Sequence, residues 1–198
     1  MPRTAFPLVM RALTMAAMLL ICGGGSGIGA EKAGDSAEPL RLIDQTGRAV
    51  TASDFKGKPS VVVFGFTSCP SICPTMLNEI AGRMADLGPL ADRMNFIFIS
   101  VDPEQDTPQV LNDYVGYFDK RIIGLTGKEE EIRAVAKFAG AHFQKVPYGE
   151  GRYTVDHSTM AFLMDRDWRR VGVLALDPGT DQKRALAKLR AMLGEGEH

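Results

Sequence analysis

Residues Ser60-Val-Val-Val-Phe-Gly-Phe66 run directly into Thr67-Ser-Cys-Pro-Ser-Ile-Cys-Pro74, and this junction constrains the fold more than any other stretch. An unbroken run of β-branched and aromatic residues marks a strand buried on both faces of a sheet. Behind it comes a turn carrying two cysteines. From Thr75 the apolar positions Met76, Leu77, Ile80, Met84 and Leu87 follow helical spacing until Gly88-Pro89 ends the run. Strand, dithiol loop and helix are therefore contiguous.

Downstream, 95–101 predicts a second buried strand, and Asp102-Pro-Glu-Gln-Asp-Thr-Pro108 a loop capping a helix that runs to about residue 118. Strands are predicted over 122–125, 141–146, 159–164 and 168–174, and helices over 128–139 and 181–193. Upstream, 40–43 and 48–50 flank Asp44-Gln-Thr-Gly47, an N-terminal hairpin signal. This order predicts an α/β fold, a mixed central sheet with helices on both faces. A strand feeding a dithiol loop that opens a helix begins a thioredoxin-like fold. The extra strand and helix over 122–139 resemble the insertion of its peroxiredoxin-like branch.

The first 30 residues carry Arg3 and Arg11, no acid, and the apolar run Ala12-Leu-Thr-Met-Ala-Ala-Met-Leu-Leu-Ile21 before Cys22 and a Gly/Ser tract. That pattern describes a signal peptide or an N-terminal membrane anchor, with residues beyond 30 exported. Cys22 adds a lipidation reading, although Ile21 before it is not small. A linker is expected over 31–38, one domain over 39–194 and a tail over 195–198. Formal charge is −1, and residues 31–198 hold 21 bases against 24 acids, so a nucleic-acid partner is not expected. Membrane association falls to the N-terminus, and the soluble domain is read as a monomer.

Outside the leader only Cys69 and Cys73 remain. In an oxidising compartment two thiols this close are a reversible redox pair or a metal site, because so short a loop adds little structural stapling. Four residues is about one helical turn, so both sulfurs can face the same way. A helix N-terminus is expected to favour thiolate over thiol. Two soft sulfurs leave a metal site incomplete, and the remaining candidates are His142, His157 and His198. His198 ends the chain and His142 lies in an alternating stretch that suits a structural histidine. His157 is placed at the start of the strand passing beside the dithiol loop. Spacing alone leaves it open between ligand and ordinary strand residue.

Three segments in order, Phe66-Thr-Ser-Cys69-Pro-Ser-Ile-Cys73-Pro-Thr, Ser100-Val-Asp-Pro-Glu-Gln-Asp-Thr-Pro108 and Tyr153-Thr-Val-Asp-His157-Ser, resemble the signatures of the SCO/SenC proteins over about 38–193. The resemblance implies an extracytoplasmic copper metallochaperone, rather than an enzyme, that assists assembly of the dinuclear copper centre of cytochrome c oxidase. It carries the metal-ligand role to Cys69, Cys73 and His157. Two thiolates and an imidazole suit Cu(I), with Cu(II) as the alternative state and Zn(II) as a competitor that would want a fourth ligand. The implied partners are the copper-acceptor subunit of the oxidase and another copper donor protein. The implied location is the periplasmic face of a bacterial inner membrane.

The rival class is a thiol–disulfide oxidoreductase in which Cys69 and Cys73 reduce the acceptor's cysteines. His157 separates the two, since dithiol exchange does not need it. A copper or redox sensor without delivery is a further reading. A peroxidase fits poorly: Phe66 and Val62 stand where peroxiredoxins carry a threonine or serine and a proline. Among the acids, Asp106 with Thr107-Pro108 reads as a helix cap. Asp156 reads equally as an orienter of His157 or as part of a partner-facing surface. Asp102 and Glu104 receive no role. Met76, Met160 and Met164 read as core.

Overall fold

The central strand forms where the β-branched run predicts it, with all six residues of Ser60–Gly65 buried. The computed structural model describes residues 40–176 and 181–195. The expected leader with Cys22, the linker and His198 lie outside the described residues. Along the described chain the elements are β1 (Arg41–Asp44), β2 (Ala49–Thr51), β3 (Ser60–Gly65), α1 (Ile72–Leu87), β4 (Asn95–Ser100), α2 (Pro108–Phe118) and β5 (Ile122–Thr126). There follow α3 (Glu129–Ala139), β6 (Phe143–Pro147), β7 (Tyr153–His157), β8 (Met160–Met164), β9 (Arg170–Ala175) and α4 (Gln182–Met192). No described helix is long and apolar enough to cross a membrane.

Seven strands make one sheet in the order β2-β1-β5-β4-β3-β8-β9, as expected of a mixed α/β fold. β3, β4 and β5 are parallel and the flanking pairs antiparallel. The two parallel crossovers run through α1 and α2, and right-handed connections that step the same way across a sheet put their helices on the same face. A Cβ at Gly124 would meet Leu111 and Val115 of α2, and one at Gly65 would meet Cys73 of α1. α4 joins that face, with Lys188 over Gly172, while α3 lies on the other, where Gly140 at its end meets the Arg170 guanidinium. This double cover explains why β3 and β4 read as continuous apolar runs rather than alternating ones.

Most boundaries shift by a residue or two, Tyr153–His157 adds a strand the sequence did not mark, and two of the differences have a clear physical reason. α1 starts at Ile72 rather than Thr75, so Cys73 and Pro74 sit in its first turn. Proline is tolerated there because the first helical N–H groups have no intrahelical partner. Trp168 is not a strand residue: it occupies the β8–β9 turn at φ +64°, and its ring stacks on Phe55 at 5.4 Å. Burial of the whole side chain offsets a backbone conformation that costs a non-glycine residue about 1–2 kcal/mol.

β6 and β7 pair only with each other, from Phe143↔His157 to Pro147↔Tyr153. His157 therefore closes a separate two-stranded ribbon, and does not start the sheet strand β8 as the sequence suggested. The strand period explains how it points. Val155 and His157 are buried on the inward face, whereas Thr154 and Asp156 are exposed on the outward one.

Candidate metal centre

β3 and β4 end side by side, and the chain leaves each at the same edge of the sheet. From β3 it enters the dithiol loop, and from β4 the loop that begins Val101-Asp102. Asp106 joins the two loops. Its carboxyl group is fully buried and accepts from Thr67 N at 3.1 Å, Thr67 Oγ1 at 2.6 Å and Ser100 Oγ at 2.6 Å. The helix-cap reading of Asp106 is thereby corrected. Thr107 is the N-cap of α2, its side chain accepting from Val110 N, and Pro108 takes the first helical position. A side chain that caps only its own helix would not need burial, and Asp106 is buried because it braces the dithiol loop.

Cys69 Sγ accepts the Cys73 amide at 3.5 Å and so satisfies one of the free N–H groups at the start of α1. Cys73 is entirely buried: its sulfur lies against Gly65 and beside the Phe98 ring, where an added Cβ on Gly65 would approach Sγ to 2.8 Å. Burial pushes the Cys73 thiol well above its ordinary range, and the neighbouring Cys69 and Asp106 push the same way. The expected preference for thiolate therefore fails at Cys73. Loss of hydration outweighs the helix N-terminus at a sulfur with no exposed surface.

His157 Nε2 lies 3.2 Å from Cys73 Sγ, and Nδ1 lies 3.0 Å from the Ser158 carbonyl. A carbonyl oxygen only accepts, so Nδ1 carries the ring proton and Nε2 turns its lone pair towards the sulfur. The ring also stands edge-on to Phe66 at 5.8 Å. The orienting partner is thus Ser158, and Asp156, on the opposite face of β7, belongs to the exposed surface. The ligand atoms of Cys69, Cys73 and His157 all lie within 4.8 Å of one another, and these three residues form a group that could hold a metal ion. The structure thus brings together the three residues singled out in the sequence. His142 is exposed, and its backbone N–H donates to the Ser158 hydroxyl oxygen at 3.0 Å. Met76 and Met164 are core as expected, but Met160, the first residue of β8, is 41% exposed.

Sequence reasoning missed Gly65, the floor under Cys73, and Asp102, whose carboxylate receives the Tyr153 hydroxyl at 2.7 Å. A glycine interrupting a β-branched run signals a close approach, which would have found the first. An acid joined without a break to a buried strand would have pointed to the second.

Residues 29–194 match the SCO1/SenC family model. The chain belongs to the SCO1/SenC family. Among solved structures, Bradyrhizobium japonicum ScoI with copper bound is 42% identical, with a TM-score of 0.71 over 77% of this chain and 96% of that one. Yeast Sco1 with copper bound is 30% identical, with a TM-score of 0.70 over 80% of this chain and 88% of that one. A SCO2-like protein of Rickettsia prowazekii (strain Madrid E) is 37% identical over 141 residues, 70% of this chain and 69% of the relative. The thioredoxin-like architecture expected from the strand–dithiol–helix junction is that of the SCO1/SenC structures.

Proposed function

We propose that the chain takes up Cu(I) through Cys69 Sγ, Cys73 Sγ and His157 Nε2 and hands it to the copper-acceptor subunit of cytochrome c oxidase, at the periplasmic face of a bacterial inner membrane. The observation that carries this reading is the convergence of two sulfurs and a lone-pair-bearing imidazole nitrogen in one buried group. Its donor chemistry fits a soft monovalent ion, and copper-bound relatives share the fold. Zinc would seek a fourth ligand, and among the described residues the group offers three. The domain carrying the site is taken as 39–194, exported by the leader over 1–30 and loaded by another copper donor protein.

Copper is cargo here, and the transfer is ligand exchange. An acceptor thiol gives up its proton and bonds to the ion as one ligand of this chain leaves. The departing atom takes up that proton, so no electron moves. His157 suits the first departure, since its freed Nε2 lone pair can accept the proton the acceptor thiol gives up.

An anaerobic Cu(I) titration of residues 31–198 against a competing chelator tests the site. A 1:1 complex weakened at least about tenfold by His157→Ala, about 1.4 kcal/mol, is expected. Equal binding by both proteins would remove His157 from the ligand set. Because burial raises the Cys73 thiol, copper has to displace a proton there, and affinity is expected to rise with pH by about tenfold per unit for each proton released. The same titration repeated between about pH 6 and 8 checks the sign, and a flat profile contradicts it.

Dithiol exchange is a second reading, favoured by the closeness of the two free sulfurs, which lie within 4.8 Å in a four-residue loop. It predicts that His157→Ala leaves thiol–disulfide exchange with a small disulfide intact while copper binding falls.

A further inference from the structure

The ribbon β6–β7 hydrogen-bonds to no strand of the main sheet, although it ends in His157. A two-stranded ribbon is marginal by itself, so its position depends on what its inward face touches. At the His157 end it is continuous with β8, and Ser158 N donates to the His142 carbonyl at 2.9 Å. Midway, Lys145 pairs with Glu104 at 2.8 Å, and its ammonium stands 4.9 Å above the Tyr153 ring. At the far end the Tyr153 hydroxyl donates to Asp102 Oδ1 at 2.7 Å and stands 3.5 Å from Glu104 Oε2. Asp102 is 2% exposed and lies two residues after β4, so the ribbon is fastened to the buried loop that leaves the central sheet.

We propose that Tyr153 is a positioning residue, whose bond to Asp102 holds the β6–β7 ribbon so that His157 Nε2 meets the dithiol. The proposal rests on the copper-ligand reading above. With the hydroxyl in place the ribbon is held at both ends. Along the ribbon Phe143 and Val155 are also buried, and Arg133 stands 4.5 Å from the Phe143 ring. Loss of the hydroxyl therefore frees only the Tyr153 end, and the slack it leaves along β7 loosens the seat of the His157 ring against the Cys73 sulfur. A ligand already aimed costs no ordering when the ion arrives, which is how a group outside the ligand set raises affinity. Glu104 and Lys145 assist on the exposed side, where a single ion pair contributes little. Asp102 is the anchor because it is buried and a bond it loses is not replaced by water.

Tyr153→Phe keeps the ring over which Lys145 stands and removes only the hydroxyl. Cu(I) affinities of the wild type, Tyr153→Phe, His157→Ala and the double variant form a cycle. The expected result is a loss of about five- to tenfold for Tyr153→Phe in the wild-type background and none in the His157→Ala background. Asp102→Asn, whose amide oxygen still accepts the hydroxyl, is expected to retain affinity within about twofold, while Asp102→Ala loses as much as Tyr153→Phe. In the metal-free protein the His157 ring ¹⁵N resonances should shift in Tyr153→Phe and stay in place in Tyr148→Phe. A His157→Ala loss with Tyr153→Phe binding as wild type, or equal losses for Tyr153→Phe in both backgrounds, would overturn the latch alone. A His157→Ala protein that binds as tightly as wild type would overturn the ligand reading and the latch with it.

Discussion

Asp106→Ala is expected to lower the free energy of unfolding by about 3 kcal/mol, read as a fall in the denaturant midpoint at constant slope. The carboxyl group is fully buried and receives the Thr67 amide, the Thr67 hydroxyl and the Ser100 hydroxyl. Alanine leaves those donors facing a small void with nothing to accept them, and each stranded buried donor costs about 1–3 kcal/mol. The hydroxyls can rotate to other acceptors. The Thr67 N–H cannot, so most of the loss falls on the strand-to-loop junction that carries Cys69. An unchanged midpoint would show that Asp106 is only a neighbour of the helix start, as the sequence suggested.

Gly65→Ala is expected to cost about 2 kcal/mol of stability and to weaken Cu(I) binding by about tenfold or more. The added Cβ would lie 2.8 Å from Cys73 Sγ and 2.8 Å from Phe98 Cε2. Neither atom is the free end of a flexible chain: Cys73 is fixed by α1, and Phe98 lies on β4 in the centre of the sheet. The sulfur therefore has to leave its seat beneath His157 for the methyl group to fit. Gly82→Ala is the control. That glycine is exposed in the middle of α1 with nothing within 4 Å of an added Cβ, and its substitution should stabilise by about 1 kcal/mol. Denaturation and copper titration of both variants separate a local overlap at Cys73 from a general effect of adding a methyl group. Normal copper affinity in Gly65→Ala would mean that the sulfur position is softer than the packing implies.

The central strands were legible because strands covered on both faces need no polar alternation, so Val61–Phe64 and Phe96–Ile99 read as unbroken apolar runs. The dithiol was legible for a chemical reason, since outside the leader no other cysteines compete for attention. The start of α1 was not legible, because Pro74 reads as a breaker unless its place in the first turn is known. His157 was assigned to the wrong strand. Tyr153–His157 and Met160–Met164 are separated only by Ser158-Thr159, and period-two patterning cannot say that the first segment leaves the sheet. Asp106 and Asp156 were ambiguous for the same reason: a carboxylate's partner lies dozens of residues away, or in solvent.

By itself the amino-acid sequence determined the chemistry available, two close thiols behind a buried strand and few histidines to join them, because residue type and local spacing set donor softness and helix phase. It also set the order of elements and the double cover of the sheet, because hydrophobic period depends on neighbours in the chain. Only the tertiary structure decided that Cys73 is sealed from water, which pushes its thiol up, that Asp106 is a brace, that Asp156 faces outward and that His157 arrives on a separate ribbon whose Tyr153 bonds Asp102. All but the exposure of Asp156 depend on contacts across the fold, 84 residues in the case of Cys73 and His157 and 51 in that of Asp102 and Tyr153. Desolvation and hydrogen-bond partnership are properties of the assembled surroundings, which no local pattern carries.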